Sequence, residues 1–192
     1  VSGFQIHFGS TEIHTPGDQC DVLVAMNPAA LKVNLGSLVD GGTIIVNTDG
    51  FNDKNLKLAG YAQNPLKDGS LGKYQVHAVD ISRLTALALQ DLNISSKLID
   101  RFKNFFALGM MYWIYNRPLE PTIEWIKSKF KQKPEIFEAN LRVLKAGWNF
   151  GETTEIFSVR YEVGPAKLTP GRYRNITGNQ AVAWGLMAAA KK

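Results

Sequence analysis

The feature that most constrains the fold is a pair of short apolar runs separated by a helix-length spacer. CDVLVAM at residues 20–26 gives way to Asn27-Pro28, and a second run, Thr43 to Val46, follows a Gly41-Gly42 turn. A spacer of this length is too long for a tight hairpin and long enough for a crossover, which parallel strands require. Pro28 suits the first turn of a helix, expected to run through Leu35. The strands are continuous apolar runs, the pattern of strands covered on both faces. Strand, helix and strand in this order form a βαβ unit. After a polar break at NTDG and the turn-rich NPLKDGSLGK, a further strand is expected over Tyr74 to Val79, leading to a helix capped by Ser82. At the start, Phe4, Ile6 and Phe8 alternate with Gln5 and His7, the period of a half-buried strand. The fold expected is a three-layer α/β/α domain with a largely parallel, Rossmann-like sheet.

The middle of the chain reads as helical. Leu98, Phe102, Phe105, Gly109 and Trp113 mark one face of a helix that stops before Arg117-Pro118. Pro121 starts the next, with Ile123, Ile126 and Phe130 inward, and Pro134 a third, with Phe137, Leu141, Leu144 and Trp148 inward. Beyond Gly151 the character changes: IFSVRYEV alternates as an extended segment, PAKLTPGRYRN has the Pro/Gly content of an interdomain linker, and GNQAVAWGLMAAAKK reads as a helix without a C-cap signal. The opening VSGFQIHFGS lacks the basic and apolar blocks of a signal peptide. The chain therefore reads as a fragment that starts partway into a domain and ends early in another.

Charge and cysteine content exclude several function classes. Residues 1–96 carry a net −3 and residues 97–192 a net +8. The four lysines at 127, 129, 131 and 133 alternate, which scatters them around a helix axis, and no RNP-like strand, KH loop or Cys/His finger accompanies them, so nucleic acid is not expected as a partner. No uncharged stretch reaches the ~20 apolar residues of a membrane span. The single Cys20 rules out an internal disulfide and any site needing two thiolates, and it points to a reducing compartment, read as the cytoplasm.

The chemically suggestive residues have plain structural readings beside the functional ones. His7, His14, Asp18 and Asp21 are close in sequence but read as surface or hydrogen-bonded groups, not metal ligands, and a triad of Ser10, His14 and Asp18 lacks the GxSxG turn that would expose its serine. GxGxxG and GxxxxGK[ST] are both absent. Asn27 to Ala29 and Asn47 to Gly50 still fall at the ends of parallel strands, where helix N-termini gather ligands; an asparagine there equally caps a helix or shapes a turn. The Phe105 to Trp113 stripe reads as core.

GSTEIHTPGDQCDVLVAMNPAALKVNL, GGTIIVNTDGF, NRPLEPTIEWI and NITGNQAVAWGLMAAA together resemble the alpha subunit of the 2-oxoacid:ferredoxin oxidoreductases, and among these the 2-oxoglutarate enzymes. The resemblance implies a gamma domain over residues 1–165, an interdomain linker over 166–177, and over 178–192 the start of the pyrimidine-side thiamine diphosphate domain, the match to that domain beginning near Asn175. It implies a complex using thiamine diphosphate, Mg, [4Fe-4S] clusters and coenzyme A, with a beta subunit and ferredoxin as partners. No cofactor is expected within this stretch, since one cysteine cannot ligate a cluster that needs four. No catalytic residue is expected either. Asn27, Asn47, Lys167, Arg172, Arg174 and Asn179 are the ligand or interface candidates, the basic stretch Lys167 to Arg174 being placed near the coenzyme A side. Two other readings stay open: a stand-alone nucleotide-binding module, and a purely structural subunit-interface domain.

Overall fold

The computed structural model describes residues 3–15, 17–157, 160–174 and 176–190. The first element is strand β1 (Cys20–Ala25), followed by α1 (Pro28–Asn34), β2 (Leu38–Asn47), α2 (Asp53–Leu58), β3 (Gln75–Val79) and α3 (Ile81–Ala88). The strands form one sheet in the order β1-β2-β3, parallel throughout. Gly41 and Gly42 lie inside β2 instead of in a separate turn: the register jumps from Cys20↔Leu38 to Val22↔Thr43, so this part of β2 bulges out of the ladder, and Gly41 adopts φ +77°. The helical half comprises α4 (Ser96–Ile99), α5 (Lys103–Ile114), α6 (Glu120–Lys129), α7 (Pro134–Thr154) and α8 (Gly178–Ala190).

Side-chain alternation sends each strand into two cores. Leu23, Ala25, Ile44 and Val46 face α1 and α2, packing with Leu31, Leu56 and Leu71. Val22, Val24, Ile45 and Val79 face the opposite way, onto α3, α5 and α7 through Phe106, Met110 and Val143. Helices therefore cover both faces, the three-layer arrangement expected. The six-residue α2 went unforeseen; its start is set by Asn52, whose side chain accepts from Asn55 N. Its end is a left-handed Gly60, with Tyr61 N bonding back to Leu56 O. Lys32 Nζ then donates to Ala59 O and Gly60 O, clamping that end to α1.

Other expectations fail locally. Residues 3–9 form no strand: they join no ladder of the sheet, and Phe4 and Ile6 are exposed. Side chains hold this segment: Gln5 donates to Gly17 O, His7 Nδ1 to Thr15 O, and Phe8 packs edge-on to Tyr115. The stripe from Leu98 to Trp113 is two helices, broken at residues 100–102. On α7 the buried stripe is Ala139, Asn140, Val143, Leu144, Gly147 and Gly151, with Phe137, Leu141 and Trp148 half-buried at its flanks. The reason is that α5 and α7 cross with their backbones nearly touching, which requires small residues at the contact. A Cβ on Gly109 would overlap Leu144 O and sit 2.8 Å from Trp148 N; one on Gly147 would overlap Phe106 O.

The exit from α7 is tied down by side chains. Glu155 takes a left-handed turn (φ 51°), Phe157 is buried, and Tyr161 N donates to Ile114 O. Arg160 stacks on Trp113 and donates to Trp113 O and Asn116 Oδ1, while Trp113 Nε1 donates to Glu152. Tyr161 stacks on Tyr115, whose phenol burial pushes up to about 12. Ser158 and Val159, from the extended segment expected at IFSVRYEV, lie outside the described residues, as do Val1, Asn175 and Lys192; the described remainder of that segment has no regular structure. Residues 167–174 are irregular and exposed, and α8 buries none of its residues despite carrying no charge.

Two polar groups on this body, Thr85 buried and His77 half-buried, give tests. Thr85 on α3 is fully buried, and its hydroxyl has no hydrogen-bond partner among the described residues. Thr85→Val keeps the shape and removes that desolvated group, so it is expected to raise stability by about 1 kcal/mol. A higher urea midpoint at constant m would read this out, and a loss would reveal a hidden partner. His77 on β3 bonds to the Ile156 backbone and meets the Phe157 ring edge-on. Burial holds its pKa below the ordinary imidazole value, against the opposing pull of the Ile156 bond. The unfolded chain then binds a proton that the folded chain resists, so stability falls as pH drops below about 6.5. His77→Gln is expected to flatten this acid limb of the thermal-midpoint profile; an unchanged slope would reject the assignment.

Candidate functional site

The C-terminal ends of the strands are where a parallel α/β sheet offers helix N-termini to ligands. Here the chain fills its own sites. Asn27 sits in extended geometry before α1, and its Oδ1 accepts from Ala30 N at 2.9 Å, closing the helix N-terminus. The turn after β2, residues 48–50, presses against this junction: a Cβ on Gly50 would lie 2.5 Å from Met26 O. Asn47, buried at the end of β2, donates from Nδ2 to Ser82 Oγ at 3.0 Å and accepts from Ser82 N at 3.2 Å. Ser82 is thus a partner inside the first turn of α3, whose N-cap is Asp80 without a side-chain cap bond; the capping role assigned to Ser82 falls to groups reaching over from β2.

Acidic groups complete the closure. Asp49 accepts from Arg83 N at 2.9 Å. Asp80 accepts from the Thr48 hydroxyl and from the Arg83 guanidinium. The Thr48 hydroxyl foremost, and Arg83 with it, hold the Asp80 carboxyl below the usual carboxylate range. A phosphate arriving here would meet two carboxylates and N–H groups already engaged, so the arrangement does chemical work as a strand-to-helix lock and repels anions. Asp49, Asp80 and Arg83 were not singled out from sequence; the signal was a polar pair immediately after each of two strands, Thr48-Asp49 and Asp80 with Arg83.

The remaining candidates lie elsewhere. Lys167, Arg172 and Arg174 are exposed in the irregular segment, Arg174 stacking 5.5 Å from the Trp184 ring, and Asn179 is exposed in the first turn of α8. No hydrogen bond or ion pair among the described residues joins them to Asn27 or Asn47. Among the described residues no group of three His, Cys, Asp or Glu could hold a metal. No helix there is long and apolar enough to cross a membrane.

Comparison with known proteins gives this closed domain a family. The model for pyruvate ferredoxin/flavodoxin oxidoreductase matches residues 1–150. The chain belongs to this family. Over 191 residues it is 52% identical to the 2-oxoglutarate oxidoreductase subunit KorA of Mycobacterium tuberculosis, a match covering 100% of this chain and 29% of that relative. The chain thus spans under a third of the relative's length. In architecture it is similar to a 2-oxoglutarate:ferredoxin oxidoreductase from Magnetococcus marinus solved with 2-oxoglutarate, coenzyme A and succinyl-CoA, at TM-score 0.58 and 19% identity over 82% of this chain and 24% of that one. That likeness speaks for the fold of the family domain, an α/β sheet with helices on both faces.

Proposed function

We propose that this chain is the non-catalytic gamma-domain portion of the alpha subunit of a cytoplasmic 2-oxoglutarate:ferredoxin oxidoreductase. Residues 1–165 form that domain, 166–177 link it onward, and α8 opens the pyrimidine-side domain. The assembly converts a 2-oxoacid and coenzyme A to an acyl-CoA and carbon dioxide, with two electrons passed to ferredoxin. The observation that carries the reading is the 52% identity with the mycobacterial subunit along the whole chain. Its test is the full-length subunit co-expressed with its beta partner: reduction of ferredoxin should depend on 2-oxoglutarate and coenzyme A. Turnover with pyruvate but not 2-oxoglutarate would move the substrate assignment, and absence of turnover with any 2-oxoacid would overturn the function.

The residues of this chain do not fit the complex's resident cofactors. Cys20 alone cannot supply the four thiolates of an iron–sulfur cluster. The helix N-termini that could take a diphosphate are capped by Asn27, Asn47 and Asp49. We place thiamine diphosphate, Mg and the clusters in other parts of the assembly, and the capping of α1 and α3 speaks against a stand-alone nucleotide-binding module.

Lys167, Arg172 and Arg174 are assigned to the path of coenzyme A, whose phosphates carry most of its charge. Reversing the three charges in the complete assembly is expected to weaken coenzyme A binding, each lost contact to a phosphate costing about 1.5 to 3 kcal/mol. Decarboxylation assayed without coenzyme A should be unchanged. Equal loss of both activities would make the segment a structural tie, and no loss of either would leave the three residues as solvated charges.

A further inference from the structure

The four lysines at 127, 129, 131 and 133 take no part in the proposed function, and they do not lie on one helix. α6 ends at Lys129, α7 starts at Pro134, and the turn between them is closed by Lys133 N donating to Phe130 O at 2.8 Å. All four are exposed at this one corner, and no ion pair or hydrogen bond among the described residues engages their ammonium groups. Beside them Trp125 is 51% exposed, with Lys129 Nζ 4.4 Å over its ring. The fold does not ask for all of this charge. Lys127 and Lys129 suit the negative end of α6, but Lys131 and Lys133 stand at the positive end of α7, where a cation is unfavourable. Lys133 is itself the N-cap residue and has no acceptor to offer the helix.

We propose that this corner is a docking site for an acidic segment of another protein, held reversibly, with Trp125 as its aromatic anchor. Permanent burial under a neighbouring domain is the wrong environment for it, because four unpaired ammonium groups would be desolvated together, and lysine is depleted at the cores of lasting interfaces. Glu124 and Glu135, both exposed, flank the lysines and decide between anionic partners. A lipid surface or a nucleic acid backbone is uniformly negative and would meet both carboxylates along with the lysines. A protein segment can set its acidic residues against the lysines and leave uncharged ones opposite the two glutamates. Attraction of this kind speeds encounter and weakens with salt. The site needs nothing from the redox reading.

The test uses the full-length subunit assembled with its beta partner. The probe is a short fluorescent peptide of alternating Glu and Ala, followed by anisotropy at low salt, with phosphatidylserine vesicles and a DNA duplex as the other anions. Lys131→Gln with Lys133→Gln should weaken peptide binding by about tenfold or more, and Trp125→Ala likewise. Lys54→Gln with Lys57→Gln, the same loss of charge from exposed positions on α2, should leave it unchanged. Lys133→Asp supplies α7 with an N-cap acceptor, so it should slow hydrogen exchange in the first turn of α7 while weakening the peptide, which separates lost binding from lost folding. Acetylation of the four lysines should proceed in the free assembly and be blocked by the peptide. Four results would each overturn the proposal: no peptide binding, equal loss from the two lysine pairs, tighter binding of vesicles or duplex than of peptide, or lysines already protected in the free assembly, which would mean that the rest of the subunit or its partner covers the corner.

Discussion

Gly147→Ala is expected to destabilise the domain by at least about 3 kcal/mol, at the upper end of what overpacking costs. The alanine methyl would overlap Phe106 O and approach Phe106 C at 2.8 Å, and these are backbone atoms of a helix that cannot swing aside. Relief requires α5 and α7 to separate, opening the core of Phe106, Met110 and Val143 between them. The gain in helix propensity from Gly to Ala, about 1 kcal/mol, acts in the opposite direction and is too small to offset this. Gly109→Ala should cost as much, its methyl overlapping Leu144 O. The double variant should cost clearly less than the sum, because helices already forced apart accept the second methyl. Gly151→Ala, which meets the Trp113 side chain at 2.8 Å, should cost less, and Gly36→Ala, with nothing within 4 Å, should cost nothing measurable. Urea midpoints of the four single variants and the double give the order. A Gly147→Ala protein within 0.5 kcal/mol of wild type, roughly the scatter of a surface substitution, would refute the close crossing.

The second large effect is expected at Asn47. Asn47→Ala removes both bonds to Ser82 and leaves the first turn of α3 with a half-buried, unpaired N–H, a loss of about 1 to 3 kcal/mol. Ser82→Ala should cost less, because Asn47 Oδ1 still accepts from the backbone of residue 82. The coupling between the two substitutions, measured as a double-mutant cycle, isolates the side-chain bond. If Asn47→Ala is neutral for stability yet abolishes ligand binding in the assembled enzyme, the lock is instead a binding site.

What the sequence disclosed follows from the range of the forces involved. β1 and β2 were legible because a strand buried on both faces needs apolar residues at every position, and Pro28, Pro121 and Pro134 mark helix starts through a local backbone constraint. Phe4 to Phe8 carries the right alternation, but a strand exists only where another backbone pairs with it. The glycines of the α5–α7 crossing were opaque for a related reason: what makes Gly147 necessary is a carbonyl on Phe106, forty-one positions away. For the site, Asn27 behaves as a cap, the local alternative already visible at that position. Asn47 does not cap its own helix, since its partner lies on α3, and that pairing becomes apparent only when β2 and β3 are side by side.

The sheet order β1-β2-β3 puts every strand beside its neighbour in the chain. One whole core, from Cys20 to Tyr74, therefore closes through contacts local in sequence, whereas the other must wait for α5 and α7 to arrive from beyond residue 100. In kinetic terms the two faces of one sheet are different problems: the α1/α2 face has the low contact order of a fast nucleus, and the α5/α7 face the longer loop closures of a later step. Native-state hydrogen exchange should then resolve two cooperative units divided by the sheet itself, with amides of α5 and α7 opening together while those of β1 and β2 remain protected.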